Sequence, residues 1–410
     1  MNNLKITARE FIKKYFYLYN FISYIYNIKW YIRKFFKYKV IDEDKFLRNM
    51  RTDIYFEYGD RSSIFFYAPI CLDKKISSQF KSFVNNTFDF DKSIYAIYNN
   101  VDLIGFNAVV VTSTNDIIQG NAESLKVLST CEPRLFTQPK KIKCEESYET
   151  VISLINPFNN GRCNNVFHWI NESLFLLQAA EDYVAKYGDK PYILLSNNPE
   201  KYHIESLRLL GYNKTDYLLW AHERANVKKM IVPGLRRKMI SKGMYLINPD
   251  AVNWLRYRLR PVIDNTTNYF SENILISRQK SIGRKIKNFE EVYAFLCEYG
   301  FESYCLEDIS FKDKLRMFSN AKNIVGAHGA GLSYMMFSIK ANIIELFGNP
   351  PVFYTDYYRL SQSVGLKYAY MFCDYSYENY IVSNKSSKFK EHDLIVNVDD
   401  LNKLFIKLNS

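Results

Sequence analysis

The sequence predicts an α/β fold with two Rossmann-like domains, and two observations support this prediction. In two blocks of the chain, short apolar runs alternate with segments of helical periodicity, a pattern typical of parallel βαβ units. In the second block, one apolar run also enters a glycine-rich turn, as strands do in Rossmann-type domains. A chain of 410 residues is long enough for both domains. We therefore expect a cleft between them.

The predicted domain boundaries follow the changes in pattern. Residues 1–45 form a basic, aromatic N-terminal helical segment, 46–265 the first domain, 266–375 the second domain, and 376–410 a C-terminal tail that packs back on the first domain. The polar stretch from Asp264 to Phe270 links the two domains. Residues 41–150 read as short strands and turns, among them Ser63–Tyr67, Val101–Ile104 and Ala108–Thr112.

From about residue 151 the alternation is regular. In the first block we expect a helix over Asn165–Ala180, a strand over Tyr192–Ser196, a helix over Tyr202–Leu210 that ends at Gly211, strands over Tyr217–Trp220 and Lys229–Val232, and a helix from Pro249 to Leu259 that Pro261 stops. In the second block we expect strands over Asn273–Ser277, Phe301–Leu306, Asn323–Val325, Asn342–Phe347 and Leu366–Phe372, and helices over Asn288–Tyr299 (with a capping box from Asn288 to Glu291), from Ser310 to near Ala321, and over Thr355–Val364.

Composition limits the class of protein. Hydrophobic residues make up 48% and charged residues 24%, as in globular proteins. None of the seven cysteines has CxxC spacing, so neither a zinc ribbon nor a redox pair is indicated. An odd number of cysteines favours a reducing compartment. We expect a cytoplasmic protein.

The net charge of +12 is concentrated at the N-terminus. Residues 1–40 carry nine Lys or Arg and one Glu, a net charge of +8. The uncharged aromatic stretch Tyr15–Ile28 lies between the basic clusters and is too short and too polar to span a bilayer. Basic aromatic helices bind anionic membrane surfaces, which predicts peripheral attachment through residues 1–40. The alternative is a basic helix packed on its own domain. Nucleic acid is not an expected partner, because the remaining residues carry only +4.

The glycine turn is the most informative segment. Ile324 and Val325 lead into Gly326, Gly329 and Gly331, and a helix is expected to follow from Leu332. Backbone N–H groups at such a turn can bind a phosphate or diphosphate. His328, within the turn, can donate to a phosphate oxygen, or it can simply bond to local backbone. The turn lacks the Lys-Ser/Thr of a P-loop and the GxGxxG spacing.

Side chains at two other strand ends point to the same ligand. Arg278 follows the strand Asn273–Ser277 directly, and Arg284 comes six residues later. Guanidinium groups bind phosphate bidentately. Glu345 ends an apolar run, where a carboxylate can bind a ribose hydroxyl. The alternatives are a solvated basic loop for the arginines and a salt bridge or helix cap for Glu345.

The helix at residue 165 carries the candidate acid–base groups. At about 100° per residue, Asn165, His168 and Glu172 share a narrow polar stripe on an otherwise apolar helix. Such a stripe suggests the wall of a cleft. The carboxylate can act as general base, with His168 holding a substrate or the carboxylate. The alternative is a buried polar network that only orients the helix.

Asp89 and Asp91 have the DxD spacing of a metal-binding pair, but no apolar strand presents them, so we predict no metal site there.

Taken together, these motifs resemble glycosyltransferase family 61. The resemblance covers about residues 155–372 and rests on four segments: Asn165–Glu172, Ser277 through Arg284 to Asn288, Ile324–Leu332 and Ile343–Glu345. Glu172 stands where many relatives have Asp, and the segment after it lacks their usual proline.

The resemblance implies a GT-B architecture and inverting transfer from a nucleotide-sugar donor, with no cofactor and no essential divalent metal. Glu172 then deprotonates the acceptor hydroxyl. Arg278, Arg284 and the amides near Gly329, Ala330, Gly331 and Leu332 stabilise the departing diphosphate, and Glu345 holds the donor ribose. Asn165 and His328 are also expected to contact the nucleotide sugar. The expected acceptor is a glycan or a lipid-linked glycan in surface polysaccharide synthesis, at the cytoplasmic face of a membrane. The alternatives are a nucleotide-dependent Rossmann oxidoreductase and a catalytically silent nucleotide-sugar-binding protein.

Overall fold

A computed structural model gives the architecture of the chain. It describes residues 40–41, 55–73, 77–114, 116–118, 143–155, 165–241, 244–264, 269–281, 283–348, 354–376 and 392–410. The predicted membrane segment, apart from Val40, and most of the predicted linker lie outside the described residues. In the described ranges, no helix is both long and apolar enough to cross a bilayer.

The first part of the chain is rich in strands. They are β1 (Val40–Ile41), β2 (Tyr55–Tyr58), β3 (Ser62–Phe65), β4 (Thr87–Phe90), β5 (Ser93–Ile104), β6 (Val109–Val111), β7 (Ile117–Ile118), β8 (Glu146–Ser153), β9 (Tyr192–Ser196), β10 (Tyr217–Trp220), β11 (Arg224–Pro233), β12 (Arg237–Ser241) and β13 (Met244–Ile247). The helices are α1 (Ser78–Lys81), α2 (Val166–His168), α3 (Leu177–Tyr187), α4 (Lys201–Leu209) and α5 (Pro249–Ile263), with a π-helical turn (Trp169–Ser173) and 3₁₀ turns (Leu174–Leu176, Lys214–Asp216).

The second part alternates regularly, as predicted. Its strands are β14 (Asn273–Ser277), β15 (Phe301–Cys305), β16 (Asn323–Ala327), β17 (Asn342–Gly348), β18 (Lys367–Ser376) and β19 (Asp393–Ile395). Its helices are α6 (Phe289–Glu298), α7 (Phe311–Ser319), α8 (Asp356–Ser363) and α9 (Val398–Asn409), with 3₁₀ segments at Leu306–Asp308 and Ala330–Phe337.

The first sheet is mixed. Its nine strands run in the order β1-β7-β6-β5-β11-β8-β9-β10, with β2 paired to β5. Strands β11, β8, β9 and β10 are parallel, but β5 pairs with β11 in the antiparallel direction. The predicted α/β class is confirmed, and the parallel Rossmann-like part of this sheet is limited to four strands. Two hairpins, β3–β4 and β12–β13, lie apart from it.

The second sheet has the doubly wound order. Counted from β14, its five parallel strands run 2-1-3-4-5, and β19 adds an antiparallel edge. Their apolar residues are buried on both faces, as continuous apolar runs predict. The strand order reverses between β14 and β16. In sheets of this type, ligands bind beyond the carboxyl ends of the strands at that reversal. Arg278 and the glycine turn follow these two strands.

Helix α5 corrects one sequence prediction. It continues through Pro261 to Ile263 instead of stopping after Leu259. Proline removes the N–H that would bond to the carbonyl four residues back, here that of Tyr257. Both Pro261 and Tyr257 are exposed, so water can satisfy that carbonyl. Because only Val262 and Ile263 follow within the helix, the free-energy cost of the missing hydrogen bond is confined to the last turn.

Other helix ends agree with the sequence in part. The Ser310 hydroxyl accepts the Asp313 backbone N–H at 3.1 Å, which confirms that cap. The predicted capping box at α6 does not form, because the Asn288 side-chain amide donates to Glu291 Oε2 and to the Val396 carbonyl. The glycine turn opens into a helix, as expected, and this helix is of the 3₁₀ type over Ala330–Phe337.

The C-terminal tail packs differently from its prediction. Helix α9 buries its apolar face in the cluster that lies against the second sheet, and β19 pairs with β18. The reason is that β18 would otherwise be an open edge, and the apolar face of α9 matches the apolar surface beside it. From the first part of the chain, Ile70 packs against the same cluster, and the Cys71 carbonyl accepts from Lys407 Nζ at 2.8 Å.

One hydrophobic core joins the two sheets. The largest cluster includes Phe66 and Phe80 from the first part of the chain and Tyr358 and Tyr370 from the second. The ring centroid of Phe80 lies 4.8 Å from the ring centroid of each tyrosine. In addition, Ile70 forms a parallel bridge with Ala369 of β18.

Candidate functional site

The glycine turn has close neighbours at each of its three glycines. A Cβ on Gly326 would lie 3.2 Å from Ile276 Cβ, and one on Gly331 would lie 2.8 Å from Leu306 Cδ1. A Cβ on Gly329 would overlap the guanidinium of Arg278. The glycines at 326 and 331 therefore allow close packing against β14 and against the 3₁₀ segment that begins at Leu306, and the glycine at 329 makes room for an arginine side chain.

The amides of the turn divide into two groups. The His328 N–H donates to the Leu346 carbonyl, and the Leu332 N–H donates to Gly329 O, both at 3.0 Å. The first amides of a helix have no partner within it, which applies to Ala330 and Gly331. Of the amides predicted to bind diphosphate, that of Leu332 is thus engaged within the turn, while those of Ala330 and Gly331 are suited to an anion.

Both predicted arginines reach the glycine turn. Arg278 follows β14, lies against Gly329, and donates from Nε to the Gly283 carbonyl at 3.3 Å. Arg284 donates from Nη1 to the His328 carbonyl at 2.8 Å. Its φ of 59° lies in the left-handed region, which is uncommon for a residue with a Cβ. Two guanidinium groups therefore meet the same turn at the reversal of strand order.

Two buried residues, Glu345 and Tyr368, fix the position of His328. Glu345 has no exposed surface, and its Oε1 lies 2.5 Å from His328 Nδ1. The Tyr368 hydroxyl donates to Glu345 Oε2 at 2.5 Å. Burial raises the pKa of Glu345, and the bonds from His328 and Tyr368 oppose that rise. Glu345 was predicted to hold the donor ribose. In the structure both of its carboxylate oxygens contact protein groups, one His328 and the other Tyr368. Glu345 thus contacts the glycine turn through His328.

The helix that begins after Asn165 has an irregular start. The Asn165 side chain caps it by accepting the Phe167 backbone N–H at 2.9 Å. A π-helical turn over Trp169–Ser173 follows, and the Asn171 side-chain amide donates to the Phe167 carbonyl within it. Single π turns inside α-helices are frequent at functional sites. Thus Asn165, predicted to contact the donor, acts as the helix cap.

His168 and Glu172 are in contact, as their spacing predicts. His168 Nδ1 lies 3.1 Å from Glu172 Oε1. His168 is the more accessible of the two, with 20% of its side chain exposed compared with 5% for Glu172. The helix therefore presents the imidazole outward and the carboxylate inward.

Two groups that the sequence did not reveal bind the same carboxylate. Arg237 of β12 donates from Nη1 to Glu172 Oε1 at 3.1 Å, and the hydroxyl of Tyr245 in β13 donates to Oε1 at 3.4 Å. The Arg237 guanidinium lies over the Tyr245 ring, 4.0 Å from its centroid. The sequence pointed to Arg237 only as part of the basic run Arg236–Lys238, which follows a predicted strand. Nothing in the sequence places this run near Glu172.

Helix α8 connects the two groups of residues. Its Tyr357 ring lies 5.2 Å from the His328 ring and 5.8 Å from that of Phe167, the residue before His168. Its Arg359 donates to the Tyr245 carbonyl and pairs with Asp356. The predicted phosphate side and the predicted acid–base side are thus neighbours across one helix.

The DxD pair lies on the β3–β4 hairpin. Both carboxylates are exposed, Asp91 almost completely, and Arg61 lies 3.7 Å from Asp91. Within the described part of the chain, no three or more His, Cys, Asp or Glu side chains are grouped so as to hold a metal ion.

Comparison with known proteins supports the family resemblance. Residues 166–344 match the family model described as Glycosyltransferase 61. A stretch of 107 residues is 36% identical to protein O-linked-mannose beta-1,4-N-acetylglucosaminyltransferase 2 of Xenopus laevis. This stretch is 25% of the present chain and 18% of that relative, so the match spans less than a fifth of the relative's length. The family match confirms the resemblance predicted from the motifs and includes His168, Glu172, Arg278, Arg284 and the glycine turn.

Proposed function

We propose that the protein transfers a sugar from a nucleotide-sugar donor to a hydroxyl of a glycan or lipid-linked acceptor, with inversion at the anomeric carbon. The observation that carries this proposal is the meeting of Arg278, Arg284 and the glycine turn at the reversal of strand order, next to the contacting pair His168 and Glu172. The family match favours a sugar transferase over a Rossmann oxidoreductase.

The donor diphosphate is proposed to bind at the turn. The amides of Ala330 and Gly331 and the guanidinium of Arg278 would contact its oxygens, while Arg284 holds the turn through the His328 carbonyl. With Nδ1 directed to Glu345, His328 presents Nε2 to the same ligand. These donors would stabilise the negative charge that develops on the departing diphosphate, a role that a divalent cation plays in other transferases.

The acceptor side is proposed to be the helix with His168 and Glu172. The acceptor hydroxyl would lose its proton to this pair while its oxygen attacks the anomeric carbon from the face opposite the diphosphate. Attack from that face inverts the configuration. In this scheme the two sheets belong to two GT-B domains, with domain boundaries at 46–265 and 266–375, and the reacting groups lie between them.

The cellular setting is part of the same proposal. A lipid-linked acceptor in the synthesis of a surface polysaccharide, such as capsule or lipopolysaccharide, would place the enzyme at the cytoplasmic face of a membrane. Residues 1–40 carry the net charge of +8 that suits an anionic bilayer surface.

Nucleotide binding followed by product analysis tests the proposal. The protein is screened by thermal shift against nucleoside diphosphates and nucleotide sugars, and donors that bind are incubated with glycan and polyprenyl-linked acceptors. We expect at least one nucleotide sugar to raise the melting temperature and to yield a product of inverted linkage. Arg278→Ala should weaken this binding, whereas Arg260→Ala, at an exposed arginine paired with Asp264, serves as the matched control. Binding of nicotinamide dinucleotides alone would refute the transferase assignment.

A further inference from the structure

Groups from three elements lie against one oxygen of the Glu172 carboxylate, and two of them donate hydrogen bonds to it. His168 Nδ1, Arg237 Nη1 and the Tyr245 hydroxyl all lie within 3.4 Å of Oε1. The first is on the same helix, the other two on β12 and β13. The side chains of Arg237 and Glu172 are 4% and 5% exposed. The pair is therefore largely withdrawn from water.

This environment makes Glu172 a weak proton acceptor. A cation in contact with a carboxylate favours its ionised form, and so do hydrogen bonds donated to it. Arginine remains charged at every pH at which proteins are folded, so its effect on Glu172 does not disappear during turnover. A proton placed on Glu172 would leave the buried Arg237 charge without its counter-ion, which is costly.

The imidazole of His168 has the opposite properties. It is four times as exposed as Glu172, and its Nδ1 faces the carboxylate. An ionised carboxylate beside one ring nitrogen fixes the proton on that nitrogen and stabilises the imidazolium that forms when the other nitrogen takes up a second proton. Nδ1 and Oε1 are at hydrogen-bonding distance, although the ring is not aligned for a linear bond. Such contacts often tighten only when a substrate is bound.

The surroundings of Tyr245 and Arg237 fix the carboxylate in place. The Tyr245 ring lies beneath the Arg237 guanidinium, and Arg359 of α8 donates to the Tyr245 carbonyl and lies 5.6 Å from the same ring. Among the described residues, the charged and titratable groups beside this pair include Arg237, Tyr245 and Arg359, and the Tyr357 ring packs on Phe167 next to His168. We call Arg237 and Tyr245 the carboxylate clamp.

Resting on the proposed function, we infer that His168 is the catalytic base and that Glu172 is a positioning residue, kept ionised by the carboxylate clamp. The acceptor O–H bond breaks and its proton goes to His168 Nε2. The oxygen electron pair forms the new bond to the anomeric carbon. The bond from that carbon to the donor diphosphate breaks, and the diphosphate leaves with the electron pair. The step balances because His168 gains one positive charge with the proton and the departing diphosphate gains one negative charge with the electron pair.

The experiment compares variants of the full chain in the transfer assay across pH. His168→Gln should lose about a hundredfold to ten-thousandfold in turnover, the range of general base catalysis. Glu172→Gln should lose less, and the acidic limb of its pH–rate profile should move to lower pH, because the imidazole loses the negative charge that favoured its protonated form. Tyr257→Phe, at an exposed tyrosine of α5, is the matched control and should keep wild-type turnover. Donor affinity, measured by calorimetry, serves as the control for folding.

The outcomes separate the two proposals. If wild type transfers no sugar from any nucleotide sugar, the proposed function fails. If wild type is active but Glu172→Gln is less active than His168→Gln, or if its acidic limb does not move, only the inference about His168 is overturned. Should the Gln variants fold poorly, alanine variants decide. Added imidazole should restore turnover to His168→Ala, and turnover of His168→Ala that imidazole leaves unchanged would overturn the assignment of His168 as base.

Discussion

The guanidinium of Arg278 occupies the space that a side chain at position 329 would need, since a Cβ on Gly329 would overlap Arg278 Nη1. The glycine is not required by its backbone conformation, because its φ of 169° is extended. Gly329→Ala should therefore displace the guanidinium. We expect it to weaken binding of a nucleoside diphosphate about tenfold to a hundredfold, the value of one or two charge-assisted hydrogen bonds, as measured by calorimetry.

A double-variant cycle tests whether the loss of affinity in Gly329→Ala arises from the displaced Arg278 guanidinium. Arg278→Ala should cause a similar loss, and the double variant should be little worse than either single one, because both remove the same contact. Gly234→Ala is the matched control, since its Cβ would meet Ile94 at an ordinary distance of 3.5 Å. Fully additive losses would show that Gly329 acts independently of Arg278.

The buried carboxylate of Glu345 predicts a dependence of stability on pH. Burial raises the pKa of Glu345 in the folded protein above its ordinary value near 4.3. Between the two pKa values the folded state binds a proton that the unfolded state does not, so the free energy of unfolding falls as pH rises through this window. The loss amounts to about 1.4 kcal/mol for each pH unit of the window. Urea unfolding of wild type and Glu345→Gln from pH 4 to 8 measures it.

The glutamine variant should show a smaller fall of stability over the same pH range, whatever its stability at pH 4. Tyr368→Phe should show a wider window, because the Tyr368 hydroxyl favours the ionised form of Glu345. Curves for wild type and Glu345→Gln that run parallel would mean that Glu345 has an ordinary pKa.

Metal dependence gives a prediction from the family resemblance. We expect transfer to continue in EDTA, and Asp89→Asn to retain wild-type turnover, because Asp89 lies exposed on the β3–β4 hairpin. The assay is repeated with added manganese and magnesium. Activity that disappears in EDTA and returns with manganese would contradict the metal-free mechanism.

Deletion of residues 1–40 tests the membrane prediction. The deletion removes a net charge of +8, so the shortened protein should no longer sediment with vesicles containing anionic lipid. Wild type should sediment with these vesicles but not with vesicles of neutral lipid, and added salt should release it. Unchanged sedimentation of the shortened protein would place any membrane contact elsewhere.

The second sheet was largely predictable because its strands are buried on both faces. Continuous apolar runs such as Asn273–Ser277 and Asn342–Phe347 match β14 and β17 closely, and Gly300 follows the end of α6 as expected. Arg278 could be located because it follows the end of β14 directly. Glu345 was expected at a strand end but lies within β17, because the apolar run continues through Leu346 and Phe347. The reach of α5 past Pro261 was not predictable, since it depends on which carbonyl faces water.

The contacts of the site that could not be predicted join residues that are far apart in the sequence. Arg237 and Tyr245 lie 65 and 73 residues from Glu172, on a hairpin whose residues carry no strong pattern. Likewise, the pairing of Glu345 with Tyr368 depends on the parallel register of β17 and β18. Spacing within one helix reveals the contact of His168 and Glu172, but a partner on another element becomes visible only once the fold is known.

The core shared by Phe66, Phe80, Tyr358 and Tyr370 has a consequence for dissecting the protein. A chain cut at residue 265 would leave each half with apolar surface that the other half covers in the intact protein, and β18 would lose its bridge to Ile70. Neither half is expected to be soluble alone. The protein should therefore unfold in a single cooperative transition. A destabilising substitution in one sheet should lower the melting temperature of the whole molecule.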